Sequence, residues 1–130
     1  MRESTTILIV DDNPPMTKTL ADILDVKGYE VYAAYSGAEA LEILRNQRVN
    51  ILLTDVRMPD MDGVALYRET RKSHPNLITF LMTAYAADDI IQQGLAEGIK
   101  TVLTKPLDIN LLLSLFSAAQ GLFTKARNDK

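Results

Sequence analysis

The chain has 130 residues, and we expect a single domain that buries about two-thirds of its unfolded surface around one core. It has no cysteine, which excludes disulfides and thiolate metal sites, and its formal net charge of −3 argues against nucleic-acid binding, which needs clustered Lys and Arg. No apolar run approaches the roughly 18 residues of a membrane-spanning helix, so we expect a cytoplasmic protein without membrane contact.

Strands and helices are predicted to alternate along the chain. Short apolar runs predict strands at residues 6–10, 30–34, 50–54, 77–82 and 100–103. Apolar residues at helical spacing predict helices at about residues 14–27, 37–46, 64–73, 88–97 and 108–123. This alternation implies an α/β fold, with a doubly wound five-stranded parallel sheet and helices on both faces. The last segment, residues 124–130, is polar and is expected to fray or to begin a linker.

Local signals mark several helix ends. Asn13 before a proline is a good cap for the first helix. Ser36 and Glu39 match a capping box, in which each side chain accepts a hydrogen bond from a backbone N–H near the other. Gly94 lies inside the fourth helix and costs about 1 kcal/mol relative to alanine, which predicts the least stable helix of the set. His74, the only histidine, precedes a proline and is interpreted as a solvated loop residue.

Polar residues stand where four of the predicted strands end. Because the carboxyl ends of parallel strands lie along one edge of a sheet, these side chains should converge there. They are Asp11, Asp12, Asp55, Thr83 and Lys105. Taken singly, each is more often a helix cap, a strand end or a solvated charge, and only their joint placement favours a site.

The chemistry of this set favours a metal-assisted reaction. Carboxylates held close together repel one another, and a bound cation relieves the repulsion. Oxygen ligands with room for water suit Mg²⁺ better than Ca²⁺, which prefers more ligands. A carboxylate, Mg²⁺, a hydroxyl and a lysine around one gap would suit phosphoryl transfer, which depends on positioning and charge neutralisation.

Several motifs, in this order, resemble the receiver domain of bacterial two-component response regulators. They are Val10-Asp11-Asp12, Asp55 to Pro59 with Gly63, Thr83-Ala84, Gly98 and Lys105-Pro106. The resemblance covers the core of the chain, residues 6–122. It implies a flavodoxin-like fold with strand order 2-1-3-4-5 and a cis peptide bond between Lys105 and Pro106.

The resemblance also implies a function. Asp55 would accept a phosphoryl group from a sensor histidine kinase or a histidine phosphotransfer protein, and Lys105 and Thr83 would contact the phosphoryl oxygens. The implied Mg²⁺ ligands are Asp11 through water, Asp12, Asp55 and the backbone carbonyl of Arg57. The protein would be a signalling switch rather than an enzyme, although it would catalyse its own phosphorylation and dephosphorylation.

One position departs from what is usual in that family. Val102 stands where relatives usually carry Tyr or Phe, and a β-branched side chain cannot swing as a ring does. Coupling through an aromatic side chain is therefore not expected, and Thr83 with the Gly94 helix is the alternative route. Arg57 and Tyr85 are large groups expected to flank the phosphoryl group, which predicts a long phosphoryl lifetime.

Apolar residues on the last helix form a second departure. Leu111, Leu115, Ala118 and Leu122 follow one another at helical spacing and make one continuous stripe. With Ile90 and Val102, the stripe predicts a surface on helix 4, strand 5 and helix 5 that contacts an effector or a second copy of the chain. A more deeply buried helix would explain the same pattern.

Three other functions remain open at this point. A pseudo-receiver would bind partners without any chemistry. A flavodoxin-like FMN-binding protein would share the sheet order, but its phosphate-binding site would use hydroxyls and backbone donors rather than carboxylates. A Mg²⁺-dependent phosphatase would need a general acid near its nucleophile, and none is evident.

Overall fold

The computed structural model describes residues 4–85 and 87–128, in which five strands and five helices alternate. The strands are β1 (Thr6–Val10), β2 (Glu30–Ala34), β3 (Ile51–Asp55), β4 (Ile78–Thr83) and β5 (Thr101–Thr104). The helices are α1 (Pro14–Val26), α2 (Gly37–Asn46), α3 (Gly63–Ser73), α4 (Asp89–Glu97) and α5 (Ile109–Asn128). All strand pairs are parallel and their order is β2-β1-β3-β4-β5, which confirms the predicted fold. None of these helices is long and apolar enough to cross a membrane.

The central strand β1 shows how the sheet divides the core. Ile7 and Ile9 pack with residues of α1 and α5, whereas Leu8 and Val10 pack with residues of α2 and α3. Since side chains alternate along a strand, a strand covered by helices on both faces must be apolar at every position. All five residues of β1 are buried, and the four from Ile7 to Val10 are apolar, as that requirement predicts.

The last helix is longer than the sequence pattern predicted. We expected it to end near Phe123, but the backbone remains helical to Asn128. Residues 124–128 contain alanine, lysine and arginine, which are good helix formers, and neither glycine nor proline, so nothing local ends the helix. Asp129 and Lys130, the end of the predicted frayed tail, lie outside the described residues.

Side chains cap the helices mostly as predicted. Asn13 Oδ1 accepts a hydrogen bond from the Met16 N–H at 3.1 Å, and Ser36 Oγ accepts one from the Glu39 N–H at 3.1 Å. The second half of the capping box differs: the Glu39 carboxylate accepts from the N–H of Tyr35, one residue earlier than expected, at 2.8 Å. The Ser36 contact still pairs a donor that the start of α2 would leave free, and the Glu39 contact pairs the N–H that precedes the cap.

Gly94 has a packing role that its helix propensity did not predict. It is buried, and a Cβ at this position would lie 2.7 Å from Ile99 Cδ1 and 3.1 Å from Val64 Cγ2. The lack of a side chain therefore lets α4 approach its neighbours closely. Gly94 lowers the helix propensity of α4, but it also permits close packing where a larger residue would not fit.

His74 is not the solvated residue that we predicted. It is half-buried, and its Nε2 lies 3.0 Å from the carbonyl oxygen of Leu44 in α2. A carbonyl can only accept, so Nε2 carries the proton, and in the neutral imidazole Nδ1 accepts from the Ser73 hydroxyl at 2.8 Å. The imidazole thereby links the end of α3 to α2.

Candidate functional site

The residues predicted to converge lie at one edge of the sheet. Asp11 follows β1, Asp55 ends β3, Thr83 ends β4 and Lys105 follows β5. One carboxylate oxygen from each of Asp11, Asp12 and Asp55 lies within 4.8 Å of the others. The predicted convergence of these side chains is therefore confirmed, because the parallel sheet aligns these strand ends.

Lys105 joins two of the carboxylates. Its Nζ donates a hydrogen bond to Asp11 Oδ2 and another to Asp55 Oδ2, each at 2.9 Å. The peptide bond that follows, to Pro106, is cis, as the resemblance implied. The ammonium group thus bridges the carboxylates at the ends of β1 and β3, although it belongs to the loop after β5.

Thr83 lies at the same edge but contacts a different group. Asp55 is paired in the sheet with Met82, so Thr83 stands one residue further toward the site. Its Oγ1 accepts a hydrogen bond from the Tyr85 N–H at 2.9 Å. That bond fixes the direction of the hydroxyl oxygen and leaves its proton free to be donated.

The three carboxylates suit a hard divalent cation. All of their ligand atoms are oxygens, and Asp12 is exposed, which leaves room for water in the coordination shell. Asp11 is buried, and its Oδ1 accepts from the Asn13 N–H at 3.1 Å, so its orientation is fixed by the first turn after β1. The residues present therefore fit Mg²⁺. The predicted fourth ligand, the Arg57 carbonyl, stays a prediction.

Burial and charge act in opposite directions on the ionisable groups. Burial raises the pKa of the Asp55 carboxyl above its ordinary value; Lys105 offsets only part of that rise, and the charge of Asp11 adds to it. Burial alone would lower the pKa of Lys105, but its hydrogen bonds to Asp55 and Asp11 raise that pKa overall. The lysine is therefore held as a cation beside a carboxylate whose charge is unfavourable.

The loop after β3 is shaped by a close backbone approach. Gly63, the first residue of α3, donates its N–H to the Val56 carbonyl at 2.8 Å. A Cβ on Gly63 would overlap the carbonyl oxygen of Asp55 and lie 3.2 Å from Thr54 Cγ2. The start of α3 therefore packs directly against the backbone of Asp55, and only glycine leaves space for it.

Two residues near the site were not identified from the sequence. Asp60 accepts hydrogen bonds from the backbone N–H groups of Gly37 at 3.1 Å and Ala38 at 2.9 Å, and these bonds lower the pKa of its carboxyl. It thereby ties the loop after β3 to the start of α2. Asp88 forms an ion pair with Arg57. In the sequence, Asp88 stands only as an acidic residue at a helix start. Helix capping is a sufficient reason for such a residue, so nothing there indicated a contact with Arg57.

Arg57 and Tyr85 lie together in the structure, whereas the sequence predicted only that both would flank the phosphoryl group. The guanidinium carbon of Arg57 is 5.8 Å from the centre of the Tyr85 ring, within the range of a cation–π contact. With Asp88 they line an open cavity of about 410 Å³. The Arg57 N–H lies 3.4 Å from Asp55 Oδ1, which places this cavity beside the site.

The predicted surface of α4, β5 and α5 is only partly exposed. Leu111 and Leu122 are 48% and 50% exposed. Ile90 and Val102 are half-buried and pack with the cluster between α3 and α4, while Leu115 packs against the main core. The more deeply buried helix that would also explain the pattern accounts for Leu115 but not for the two exposed leucines.

Comparisons with known proteins agree on one family. The response regulator receiver domain model matches residues 7–117. The chain is 43% identical over 108 residues to a response regulator receiver protein of Anaeromyxobacter sp. (strain Fw109-5), covering 83% of this chain and 45% of that protein. It is 34% identical over 104 residues to sporulation initiation phosphotransferase F of Bacillus subtilis (strain 168), covering 80% of this chain and 84% of that protein.

A solved structure supports the same assignment. The response regulator receiver domain protein (CheY-like) of Methanospirillum hungatei JF-1 superposes with a TM-score of 0.86 at 28% identity, covering 95% of this chain and 99% of that one. The chain belongs to the response regulator receiver domain family, whose members here are two-component response regulators. Such domains are generally signalling modules rather than enzymes, and they use Mg²⁺. Membership of this family implies that the partner is a histidine kinase or a phosphotransfer protein.

Proposed function

We propose that the chain is a phospho-accepting switch that takes a phosphoryl group onto Asp55 from a sensor histidine kinase or a histidine phosphotransfer protein. The observation that supports this most directly is the position of Lys105, whose Nζ lies 2.9 Å from Asp55 Oδ2 inside a cluster of three carboxylates. The carboxylates supply the acceptor and would hold a divalent cation, and that cation together with Lys105 would supply the positive charge that a developing phosphoryl charge requires.

Of the two carboxylates that contact Lys105, Asp55 is the better acceptor. Both oxygens of Asp11 are already engaged, by Lys105 and by the Asn13 N–H, and its side chain is 1% exposed. The Asp55 side chain is 12% exposed, and its Oδ1 has only a long contact of 3.4 Å with the Arg57 N–H. An Asp55 oxygen is therefore the more available nucleophile.

The reaction is a phosphoryl transfer between two side chains. An Asp55 oxygen forms a bond to phosphorus, the phosphorus–nitrogen bond of the donor's phosphohistidine breaks, and the released imidazole takes up a proton. Lys105 neutralises charge on the phosphoryl oxygens, and the Thr83 hydroxyl donates to one of them. Asp11, Asp12, Asp55 and the Arg57 carbonyl would hold Mg²⁺, which supplies further positive charge when bound. The same residues would support dephosphorylation by water.

The signal would leave the site through the surface that contains Ile90, Val102, Leu111, Leu115 and Leu122. This surface would bind an effector or a second copy of the chain, and phosphorylation would change that affinity. The single receiver domain, residues 1–130, would act in the cytoplasm without contacting nucleic acid or a membrane. Arg57 and Tyr85 would shield the phosphoryl group and give it a long lifetime.

The test is a phosphorylation assay on intact protein. Incubation with Mg²⁺ and either phosphoramidate or a phosphorylated histidine phosphotransfer protein should add the mass of one phosphoryl group, detected by intact-mass spectrometry. Asp55→Asn should remain unmodified, because an amide is not nucleophilic enough to accept the group. The matched control is Asp22→Asn, an exposed carboxylate on α1, which should be modified at the wild-type rate. Equal modification of Asp55→Asn and wild type would refute the proposal.

A further inference from the structure

Asp88 serves two partners at the start of α4. As the N-cap residue it accepts a hydrogen bond from the Ile90 N–H through Oδ1 at 3.4 Å. Its other oxygen, Oδ2, pairs with the guanidinium of Arg57, which belongs to the loop after β3. One carboxylate thus connects the first turn of α4 to a residue two positions after Asp55.

The other end of α4 is attached far more extensively. The Tyr67 hydroxyl donates to the Glu97 carbonyl at 2.7 Å, and the Arg68 guanidinium donates to the Glu97 carboxylate at 2.6 and 3.0 Å. Arg71 adds a third contact with that carboxylate at 3.3 Å. The end of α4 is therefore fixed to α3. At the start of α4, the described side-chain contact with the loop after β3 is the pair of Arg57 and Asp88.

We propose that this pair, the Arg57–Asp88 latch, is opened by phosphorylation of Asp55. Arg57 leaves Asp88 for the phosphoryl group, and the first turn of α4 is released while its last turn stays attached to α3. This inference rests on the proposed function of Asp55. It identifies how phosphorylation of Asp55 would reach α4, the helix that contributes Ile90 to the predicted binding surface.

Charge and position both favour the exchange of partners. A phosphoryl group carries about −1.5 to −2 charges near neutral pH, more than the single charge of Asp88. The Arg57 side chain is 65% exposed and that of Asp88 is 19% exposed, and an ion pair with one solvated partner is weak, so the latch is easily opened and closed. The adjoining cavity of about 410 Å³ gives the guanidinium room to turn.

The latch would take the place of the aromatic coupling that the chain lacks. Val102 is half-buried and, like Ile90, packs against the cluster between α3 and α4, and its stiff rotamer cannot swing into the site. Arg57 has a long side chain that can contact either the site or α4. A movable group is therefore present, but on the loop after β3 rather than on β5.

The decisive variant is Asp88→Asn, because asparagine is an equally good N-cap but carries no charge. Amide hydrogen exchange at Ile90 and Ile91 should be about two- to fivefold faster in the unphosphorylated variant than in unphosphorylated wild type. Phosphorylated wild type should show the same increase, and phosphorylation should add nothing further in the variant. Asp22→Asn, which removes an exposed ion pair on α1, should leave these two amides unchanged.

The outcomes separate the latch from the proposed function. Intact-mass measurement of the same samples reports whether Asp55 carries the phosphoryl group. If wild type is phosphorylated but exchange at Ile90 and Ile91 does not change, the latch is wrong and the proposed function stands. If no phosphoryl group forms, the proposed function fails, and unchanged exchange in unphosphorylated Asp88→Asn would reject the latch independently. Arg57→Gln should reproduce the unphosphorylated behaviour of Asp88→Asn, which guards against a general loss of folding.

Discussion

The phosphoryl site and the start of α4 lie side by side but are held by different forces. Lys105 is largely buried, and it contacts two carboxylates that are also largely buried. Removing one member of such a set leaves charges without partners in a poorly solvated place, which is costly. In the pair of Arg57 and Asp88, the arginine side chain is 65% exposed although that of Asp88 is 19% exposed, and an ion pair with a solvated partner contributes about 0.2 to 1 kcal/mol. The first region is therefore suited to a fixed geometry and the second to movement.

Packing follows the same division. On the side of the sheet that holds α1 and α5, Phe80 and Phe116 pack edge to face with ring centres 5.3 Å apart, and both are buried. Next to α4, the buried cluster is smaller and is bordered by half-buried Ile90, Leu95 and Val102. Movement of α4 would therefore disturb little of the main core.

The largest expected effect is on the fixed region. Lys105→Ala removes the cation that lies between Asp11 and Asp55, so the rate of phosphorylation by phosphoramidate should fall about 100-fold. The measurement is the initial rate of mass addition at saturating Mg²⁺. Lys72→Ala, which removes an exposed lysine on α3, is the control and should keep the wild-type rate. A near-normal rate for Lys105→Ala would mean that Lys105 organises the unphosphorylated site but does not assist the transfer.

Two glycines allow a direct comparison of the regions. Gly63→Ala places a methyl group against the backbone of Asp55, which cannot move without displacing the acceptor, and should lower the free energy of unfolding by about 1–3 kcal/mol. Gly94→Ala meets the end of the Ile99 side chain, which can shift, and gains about 1 kcal/mol of helix propensity. Urea denaturation should therefore show a larger loss for Gly63→Ala.

Gly121→Ala is the matched control for both, because a Cβ there would meet nothing within 4 Å. It should be neutral or stabilising, since alanine is the better helix former. Equal losses at positions 63 and 94 would contradict the idea that the Asp55 loop is the more rigid of the two regions.

The smallest effect concerns the charge of Asp55. Its pKa is raised in the folded protein, so the folded state binds this proton more tightly than the unfolded state does. The resulting stabilisation is fully present below the ordinary value of 3.8 and is lost as the pH rises through the folded-state pKa. At pH 7 without Mg²⁺, Asp55→Asn should therefore have a higher Tm than wild type, and the difference should shrink toward about pH 4.

Calorimetry across this pH range measures the effect, with Asp22→Asn as the exposed control. Mg²⁺ should raise the Tm of wild type more than that of Asp55→Asn, because the variant has lost one of the carboxylates. A metal-free Asp55→Asn that is less stable than wild type at pH 7 would show that Lys105 outweighs burial at this position.

Much of the fold and of the candidate site was predictable because the signals are local. Buried parallel strands need continuous apolar runs, helices show their own period, and β1 to β5 were found within one residue of their observed ends. The strand-end residues followed from the topology alone, since a parallel sheet aligns its carboxyl ends. Helix length was less predictable: nothing in residues 124–128 signals a stop, and polarity was mistaken for one.

Only the tertiary structure decided which side chains meet across the loops. His74 and Leu44 are 30 residues apart in the chain, Asp60 and Gly37 are 23 apart, and no periodicity relates them. Arg57 and Asp88 are separated by 31 residues, and each has a sufficient local explanation by itself. The sequence by itself therefore determined where the chemistry lies, because the pattern of apolar residues shows where each strand ends. The contacts that can carry a signal away from Asp55 depend on how the loops and helices pack, and only the folded chain shows them.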